Sequence, residues 1–240
     1  MVEGGTLVMY GDPGSWKSWL TIDAAFALAE GRMWLGRYPC QQATVLLIQT
    51  EEPERKYKAR FFKNEGGVDD GYIAKALRGK QIPMNLHVES DMNLRINGSH
   101  NRNRMTDLIG KVKPDVVLVD NMMTSTAGSL GEVLVMQDYL DEIDFHKSQW
   151  PGLSWWLDHH PRKGAQNPSV DLSTPQEMYG SRALEIRANT IIRVKGVKDS
   201  PLTGQISFHR QKARDSLTPL DLQIINVDKG SLNFNIGVYS

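Results

Sequence analysis

The sequence predicts an α/β fold with a largely parallel central sheet flanked by helices, and three observations carry that prediction. Strand-like apolar runs alternate with helical patterns along most of the chain. Several runs, Ala43–Gln49 and Asp115–Asp120 among them, are apolar at nearly every position, as strands buried on both faces are. From Gly204 onward the pattern changes to β-hairpins, over residues 205–209, 220–227 and 232–238. No repeat, low-complexity tract or linker interrupts the 240 residues, so one domain spanning 1–240 is expected.

Taken in order, the first strand is Thr6–Tyr10, followed by Gly11–Ser18 and a helix from Trp19 through Ala29. Residues 31–39 read as a loop of glycines and aromatics. The second strand, 43–49, leads through Thr50-Glu51-Glu52-Pro53 into a basic helix carrying Arg55, Lys56, Lys58, Arg60 and Lys63, a pattern that fits a solvated face. A Gly-rich connection over 64–84 holds a short helix near 72–77, and 85–89 is a short strand. Residues 96–104 are polar and read as a surface loop entering a helix that ends near Val112. The next strand ends in Asp120-Asn121. A loop over 122–131 and a helix over 133–145 follow. The strand Leu153–Leu157 then runs into Asp158-His159-His160. A long polar loop, a short helix from Gly180-Ser181 and a strand over 190–194 lead to the hairpins.

Composition bounds the function. Lys+Arg and Asp+Glu are 28 each, so no global positive field draws this chain to nucleic acid; such binding must come from a local patch or from assembly. The one cysteine, Cys40, excludes an internal disulfide framework and a Cys-rich zinc site, and fits a reducing compartment. No apolar run approaches the ~20 residues of a membrane span, and no basic segment precedes an apolar stretch at the N-terminus. A cytoplasmic location without membrane contact is expected. Asn97-Gly98-Ser99 matches a glycosylation sequon, which carries no chemistry there. His87, His100 and His146 lack partner spacing and read as surface or half-buried histidines.

The stretch GDPGSWKS, Gly11 to Ser18, carries the chemistry. It supplies the first Gly, the Lys and the Ser of the phosphate-binding pattern G-x-x-x-x-G-K-[ST], between a strand and a helix. Backbone N–H groups at a helix start point at an anion, and the helix dipole adds to the attraction. Lys17 is placed to reach the outer phosphates and the Ser18 hydroxyl to sit on Mg²⁺. The expected nucleotide-binding residues are Gly11, Asp12, Pro13, Gly14, Ser15, Trp16, Lys17, Ser18 and Trp19. Trp16 stands where the pattern has its second Gly, so its side chain must point away from the phosphates.

Ligands of open α/β sheets bind at the carboxyl ends of the strands. Asp120 is the expected water-mediated partner of Mg²⁺ there. Glu51, with Glu52 as competitor, is the expected group to orient and deprotonate an attacking water. The His159-His160 pair is poorly disposed to chelate one metal, because neighbours on a strand point to opposite faces; one histidine reading the γ-phosphate or its water is the better expectation. Lys212-Ala213-Arg214, between two hairpin strands, offers positive charge to a neighbouring subunit's phosphates.

The series GDPGSWKS, LLIQTEEP, DVVLVDN, LDHHPRKG, YGSRAL and QKAR, in that order, resembles the RecA-like ATPases of hexameric replicative helicases. Within them it is most similar to the RepA-like group of plasmids and phages, with the DnaB family a step away. The resemblance covers nearly the whole chain. It implies a RecA-like P-loop core and a ring of six with ATP at each subunit boundary. By position, Lys17 and Ser18 match the nucleotide and Mg²⁺ ligands, Glu51 the catalytic glutamate, and Asp120 the Walker B acid. His160 matches the sensor, with His159 possible. Lys212 and Arg214 match the Lys-x-Arg pair that enters the neighbour's site. The loop after His160 matches the channel-facing segment, where Arg162 and Lys163 would meet DNA phosphates. Arg187 lies near, but not at, the RepA-like finger position. The first strand starts close to Met1, so the motor either assembles without a preceding domain or is part of a longer chain. The expectation is an ATP-driven helicase motor acting on single-stranded DNA, with ATP and Mg²⁺ bound. The alternatives are a RecA-like recombination or repair ATPase and a KaiC-like regulatory ATPase acting on proteins.

Overall fold

The computed structural model describes residues 3–58, 82–160, 181–199, 203–213, 222–228 and 233–236. Nine strands form one sheet in the order β11-β10-β9-β8-β1-β7-β6-β4-β5. Six of them run parallel: β8 (Thr190–Asp199), β1 (Thr6–Gly11), β7 (Ser154–His159), β6 (Val116–Asp120), β4 (Val45–Gln49) and β5 (Leu86–Ser90). The remaining strands, β9 (Thr203–Ala213), β10 (Leu222–Asp228) and β11 (Asn233–Ile236), extend this sheet antiparallel from β8. The helices are α1 (Lys17–Glu30), α2 (Glu54–Lys58), α3 (Ser99–Val112), α4 (Val133–Gln149) and α5 (Ser181–Arg187). No helix among the described residues is long and apolar enough to cross a membrane.

Alternation along the central strands sends side chains to two separate cores. Leu7, Met9, Leu47, Leu118 and Trp156 pack beneath α1 with Leu20 and Phe26. Val8, Tyr10, Leu46, Val119, Trp155 and Leu157 face the other way, toward Met105 and Ile109 of α3 and Tyr139 and Leu140 of α4. Both faces are therefore covered, which is why the strands read as unbroken apolar runs rather than alternating ones. Helix α1 ends at Gly31, which adopts φ 67; its N–H and that of Arg32 bond to the Leu28 and Ala27 carbonyls. A left-handed residue closing a helix in this way favours glycine.

Four sequence expectations need correction. Residues 31–39 are not simply a loop: β2 (Met33–Trp34) and β3 (Tyr38–Pro39) pair as a small hairpin. Trp34 packs edge-on against Trp156 with ring centroids 5.2 Å apart, and Arg32 ties the hairpin to Asp23 of α1. Residues 96–104 are not a surface loop: α3 begins at Ser99, and Leu94 and Ile96 are fully buried. The polarity of Asn97 misleads because its side chain is spent internally. Its amide nitrogen donates to the Ala127 carbonyl and Asp138, and its oxygen accepts from Ala127 N–H at 2.6 Å, which also closes the sequon to modification of the folded chain. His146 is fully buried, between the rings of Trp150 and Trp155. Lys212 and Ala213 belong to β9 itself rather than to a connection between strands. The short helix expected near 72–77 and most of the basic helix after Glu54 lie outside the described residues.

Candidate nucleotide-binding site

The carboxyl ends of β1, β4, β6 and β7 meet at one end of the sheet. The register pairs Gln49 with Asp120, Met9 with Asp158 and Tyr10 with His159, so the residues just beyond these strands converge. This brings Lys17, Ser18, Glu51, Asp120 and His160 to one end of the parallel sheet.

The phosphate-loop stretch leaves β1 at Gly11, where only glycine fits: an added Cβ would stand 2.1 Å from the Val194 carbonyl oxygen of β8. The loop turns through Gly14, φ 78, and Trp16, φ 70 and ψ 13, before α1 starts. The left-handed conformation at residue 16 is the physical reason a glycine is expected there. Trp16 adopts it while its half-buried indole packs against the core beneath α1. Trp16, at the N-cap of α1, makes no side-chain capping bond. Lys17 is 6% exposed, and its ammonium donates to the carbonyls of Gly11 at 2.6 Å and Asp12 at 2.9 Å. Burial pulls its pKa down; the carboxylates of Asp158, Asp120, Glu51 and Asp12 oppose the shift. An ammonium held by loop carbonyls beside a helix start, with a glycine no other residue could replace, suits a phosphate chain. The hydroxyl of Ser18 and the carboxylate of Asp120 are the hard oxygen donors that Mg²⁺ takes, and a site with so few protein ligands is usual for it because phosphates and waters complete the shell. Among the described residues, no group of three or more His, Cys, Asp or Glu gathers to hold a metal by itself.

Asp158 is a member of this cluster that the motif reading missed. It is fully buried beneath α1. Its carboxyl accepts from the Thr21 hydroxyl at 2.6 Å and from the Trp156 indole N–H at 3.0 Å, tying α1 to β7. Burial, reinforced by the charge of Asp120, pushes its pKa up to about 8. A carboxyl two residues before His160, directly after the apolar run Trp155-Trp156-Leu157, is the signal that could have found it.

The third part of the site lies across β4, β6 and β7. Glu51 Oε1 stands 4.0 Å from His160 Nε2. Burial and the charge of Lys17 lower the His160 pKa, while Glu51, the Gly11 carbonyl and Asp12 oppose the shift. The ring is thus neutral at neutral pH. Asn121 contacts the same Nε2 at 3.3 Å. The turn that carries Glu51 is held by Gln49, whose amide oxygen faces the N–H groups of Glu51 and Glu52 and whose nitrogen faces Ser90 Oγ at 3.0 Å. Gln49 and Asn121 were not singled out from sequence, because amide side chains at strand ends have no spacing signature.

The other candidates fall elsewhere. Lys212 pairs with Ile191 near the start of β8, whereas Gly11 pairs with Val194. Three residue steps of ~3.3 Å and two strand spacings of ~4.8 Å therefore separate the backbones of Lys212 and Gly11 within one chain. Arg187 is engaged locally, with Asp141 at 2.6 Å and Asp144 at 3.0 Å on α4. Arg162, Lys163 and Arg214 lie outside the described residues.

A glycine-bearing turn with Lys-Ser at a helix start, in a six-stranded parallel sheet flanked by helices, defines a P-loop nucleotide-hydrolase core. Comparison with known families agrees: the profile of the AAA domain family matches residues 1–133, and the chain belongs to that family of P-loop ATPases. The match includes Gly11–Ser18, Glu51 and Asp120; His160 lies beyond it. No curated protein shows significant similarity to the chain.

Proposed function

We propose that this chain is the ATP-hydrolysing motor of a ring-shaped replicative DNA helicase of the RepA-like group. The observation that carries the reading is the convergence of Lys17, Asp120, Glu51 and His160 at one end of the sheet, with Lys212 on a strand that ends away from them. In this reading Lys17 exchanges the Gly11 and Asp12 carbonyls for the β- and γ-phosphates of ATP. Ser18 and Asp120 would hold Mg²⁺, which would supply positive charge against those phosphates. Glu51 orients the attacking water and takes its proton, a role for which an exposed carboxylate at a strand end is suited. His160, neutral and next to Glu51, senses whether the terminal phosphate is present. Lys212 and Arg214 act on the site of an adjacent subunit, which explains why Lys212 is remote from its own. Arg162 and Lys163 contact the phosphates of single-stranded DNA. Six copies of one basic loop concentrate positive charge that a chain with balanced charges lacks.

The test has two readouts. ATP turnover should rise when single-stranded DNA is added, and the mass in solution with a non-hydrolysable ATP analogue and that DNA should be that of a hexamer. Turnover indifferent to DNA would instead favour a regulatory ATPase acting on protein partners. DNA-stimulated turnover in an open filament, without displacement of a strand from a forked duplex, would favour a recombinase.

A further inference from the structure

Asn121 follows the strand-end acid and is 1% exposed. Its side-chain orientation is fixed by donors that cannot reverse. The oxygen Oδ1 accepts from the backbone N–H of Met123 at 2.9 Å and of Thr124 at 3.2 Å, so Nδ2 must be the atom facing His160. The main-chain oxygen is also engaged, accepting from the Ser125 N–H at 3.1 Å and hydroxyl at 2.8 Å. Turning the amide over would set two N–H groups against two others and leave buried donors unsatisfied, at about 1–3 kcal/mol for each such group.

An amide nitrogen only donates, and the atom it meets at 3.3 Å is His160 Nε2. For that contact to be a hydrogen bond, Nε2 must carry its lone pair. A neutral imidazole bears one proton, which then resides on Nδ1. We propose that Asn121 is a positioning residue that holds His160 as the neutral Nδ1–H tautomer, turning its Nε2 away from proton donation to Glu51 or phosphate.

This rests on the reading of Glu51 and His160 given above and deepens it. At neutral pH the 4.0 Å approach of Glu51 to His160 is not an ion pair. The Nε2 lone pair then faces Asn121 and Glu51, and the ring's one proton sits on Nδ1, a buried atom. The groups facing the ring pull both ways, and burial tips the balance toward the neutral form. Lys17 from α1 opposes a positive ring, while Glu51 after β4, and Asp12 and the Gly11 carbonyl of the phosphate loop, favour one. Asn121 adds an N–H that a doubly protonated ring could not accommodate. The bond also has a mechanical side. Thr124, whose N–H is held by Asn121, shares a 2.7 Å hydroxyl contact with Thr50, the residue before Glu51. A change in the hydrogen bonding of His160 is thus felt at the turn that carries Glu51.

The test is ring-nitrogen NMR on the whole chain labelled with ¹⁵N-histidine; of six histidines, His160 is assigned as the signal missing from His160→Gln. Wild type should show His160 with a protonated Nδ1 and an unprotonated Nε2 at neutral pH. Asn121→Asp keeps an oxygen for the Met123 and Thr124 N–H groups but presents a second acceptor to the ring. It should move the proton to Nε2 and raise the pH at which the ring becomes charged by about one unit or more. The acid limb of the ATP turnover profile should move with it. An Nε2–H tautomer in wild type overturns the assignment without any variant, as does a tautomer unmoved by Asn121→Asp. The wild-type spectrum does not depend on turnover. Absence of ATP hydrolysis would therefore defeat the reading of the site, while an Nε2–H ring in an active enzyme would defeat the role of Asn121 alone.

Discussion

Substituting Trp16 separates backbone strain from side-chain packing at the entrance to α1. The residue sits at φ 70 and ψ 13, where an L-residue costs about 1–2 kcal/mol that glycine does not. Its half-buried indole packs against the core beneath the helix. If about half of a ~250 Å² tryptophan surface is withdrawn from water, packing stabilises the fold by roughly 3 kcal/mol as an upper value. Trp16→Ala loses most of that packing and keeps the strain, so it should cost about 3 kcal/mol. Trp16→Gly loses the same packing and recovers about 1–2 kcal/mol of strain, less about 0.5–1 kcal/mol for the added freedom of the unfolded chain. Glycine should therefore be more stable than alanine by about 0.5–1 kcal/mol, although both fall below wild type. Urea midpoints at constant m-value measure the difference, which for a domain of this size is about 2 °C in melting temperature. At an ordinary helix position alanine is the better residue by a similar amount. An alanine variant as stable as the glycine variant, or more so, would refute the claim that residue 16 is held left-handed.

Three further outcomes are expected. Lys17→Ala should lower ATP turnover about 100-fold or more, by removing a charge aimed at the phosphates; turnover near that of wild type would remove the phosphate-loop assignment. Asp158→Asn should stay within about 1 kcal/mol of wild type in denaturant midpoint at neutral pH, because the amide replaces a carboxyl whose pKa lies near 8 and still serves Thr21 and the Trp156 indole. Asp158→Ala strands both groups and should cost about 2–4 kcal/mol; equal losses in the two variants would show that the carboxyl's hydrogen bonds are immaterial. Burial lowers the pKa of His146 below its ordinary 6.5, so the unfolded chain binds protons there that the folded chain refuses. Its contribution is full above about pH 6.5. It is lost as the pH falls below that value, and levels off below the folded-state pKa. His146→Leu should flatten that part of the stability-against-pH curve, and an unchanged slope would exclude His146 as its source.

Much of the fold was legible because the central strands are apolar on both faces and end in turn residues; β1, β4, β6 and β7 follow from that alone. The phosphate loop was legible because its chemistry requires a local spacing. What escaped was set by contacts distant in sequence. The hairpin around Trp34 exists because that ring meets Trp156, more than a hundred residues away. The segment around Ile96 was hidden by Asn97, whose polarity looks like exposure until Ala127 and Asp138 are in place. At the site, residues with motif spacing were found, whereas those that hold them were not. Asp158 and Asn121 act through Thr21, Trp156 and His160, partners brought near by the sheet register and not by neighbouring positions.

The path of β9 has a consequence for assembly. Starting from the far end of β8, it returns to the level of Ile191 and sets Lys212 toward the end of the sheet opposite the phosphate loop. If Lys212 completes the site of another copy, each chain carries a socket at one end and a plug at the other. Two such chains related by a two-fold axis cannot satisfy both, because an isologous contact pairs a surface with itself. The contact must be heterologous, head to tail, and every added copy leaves one socket and one plug open until the chain of subunits closes. Only closure removes the unfinished ends, and the rotation per step, set where one sheet meets the next, decides between a ring and a helix that never ends.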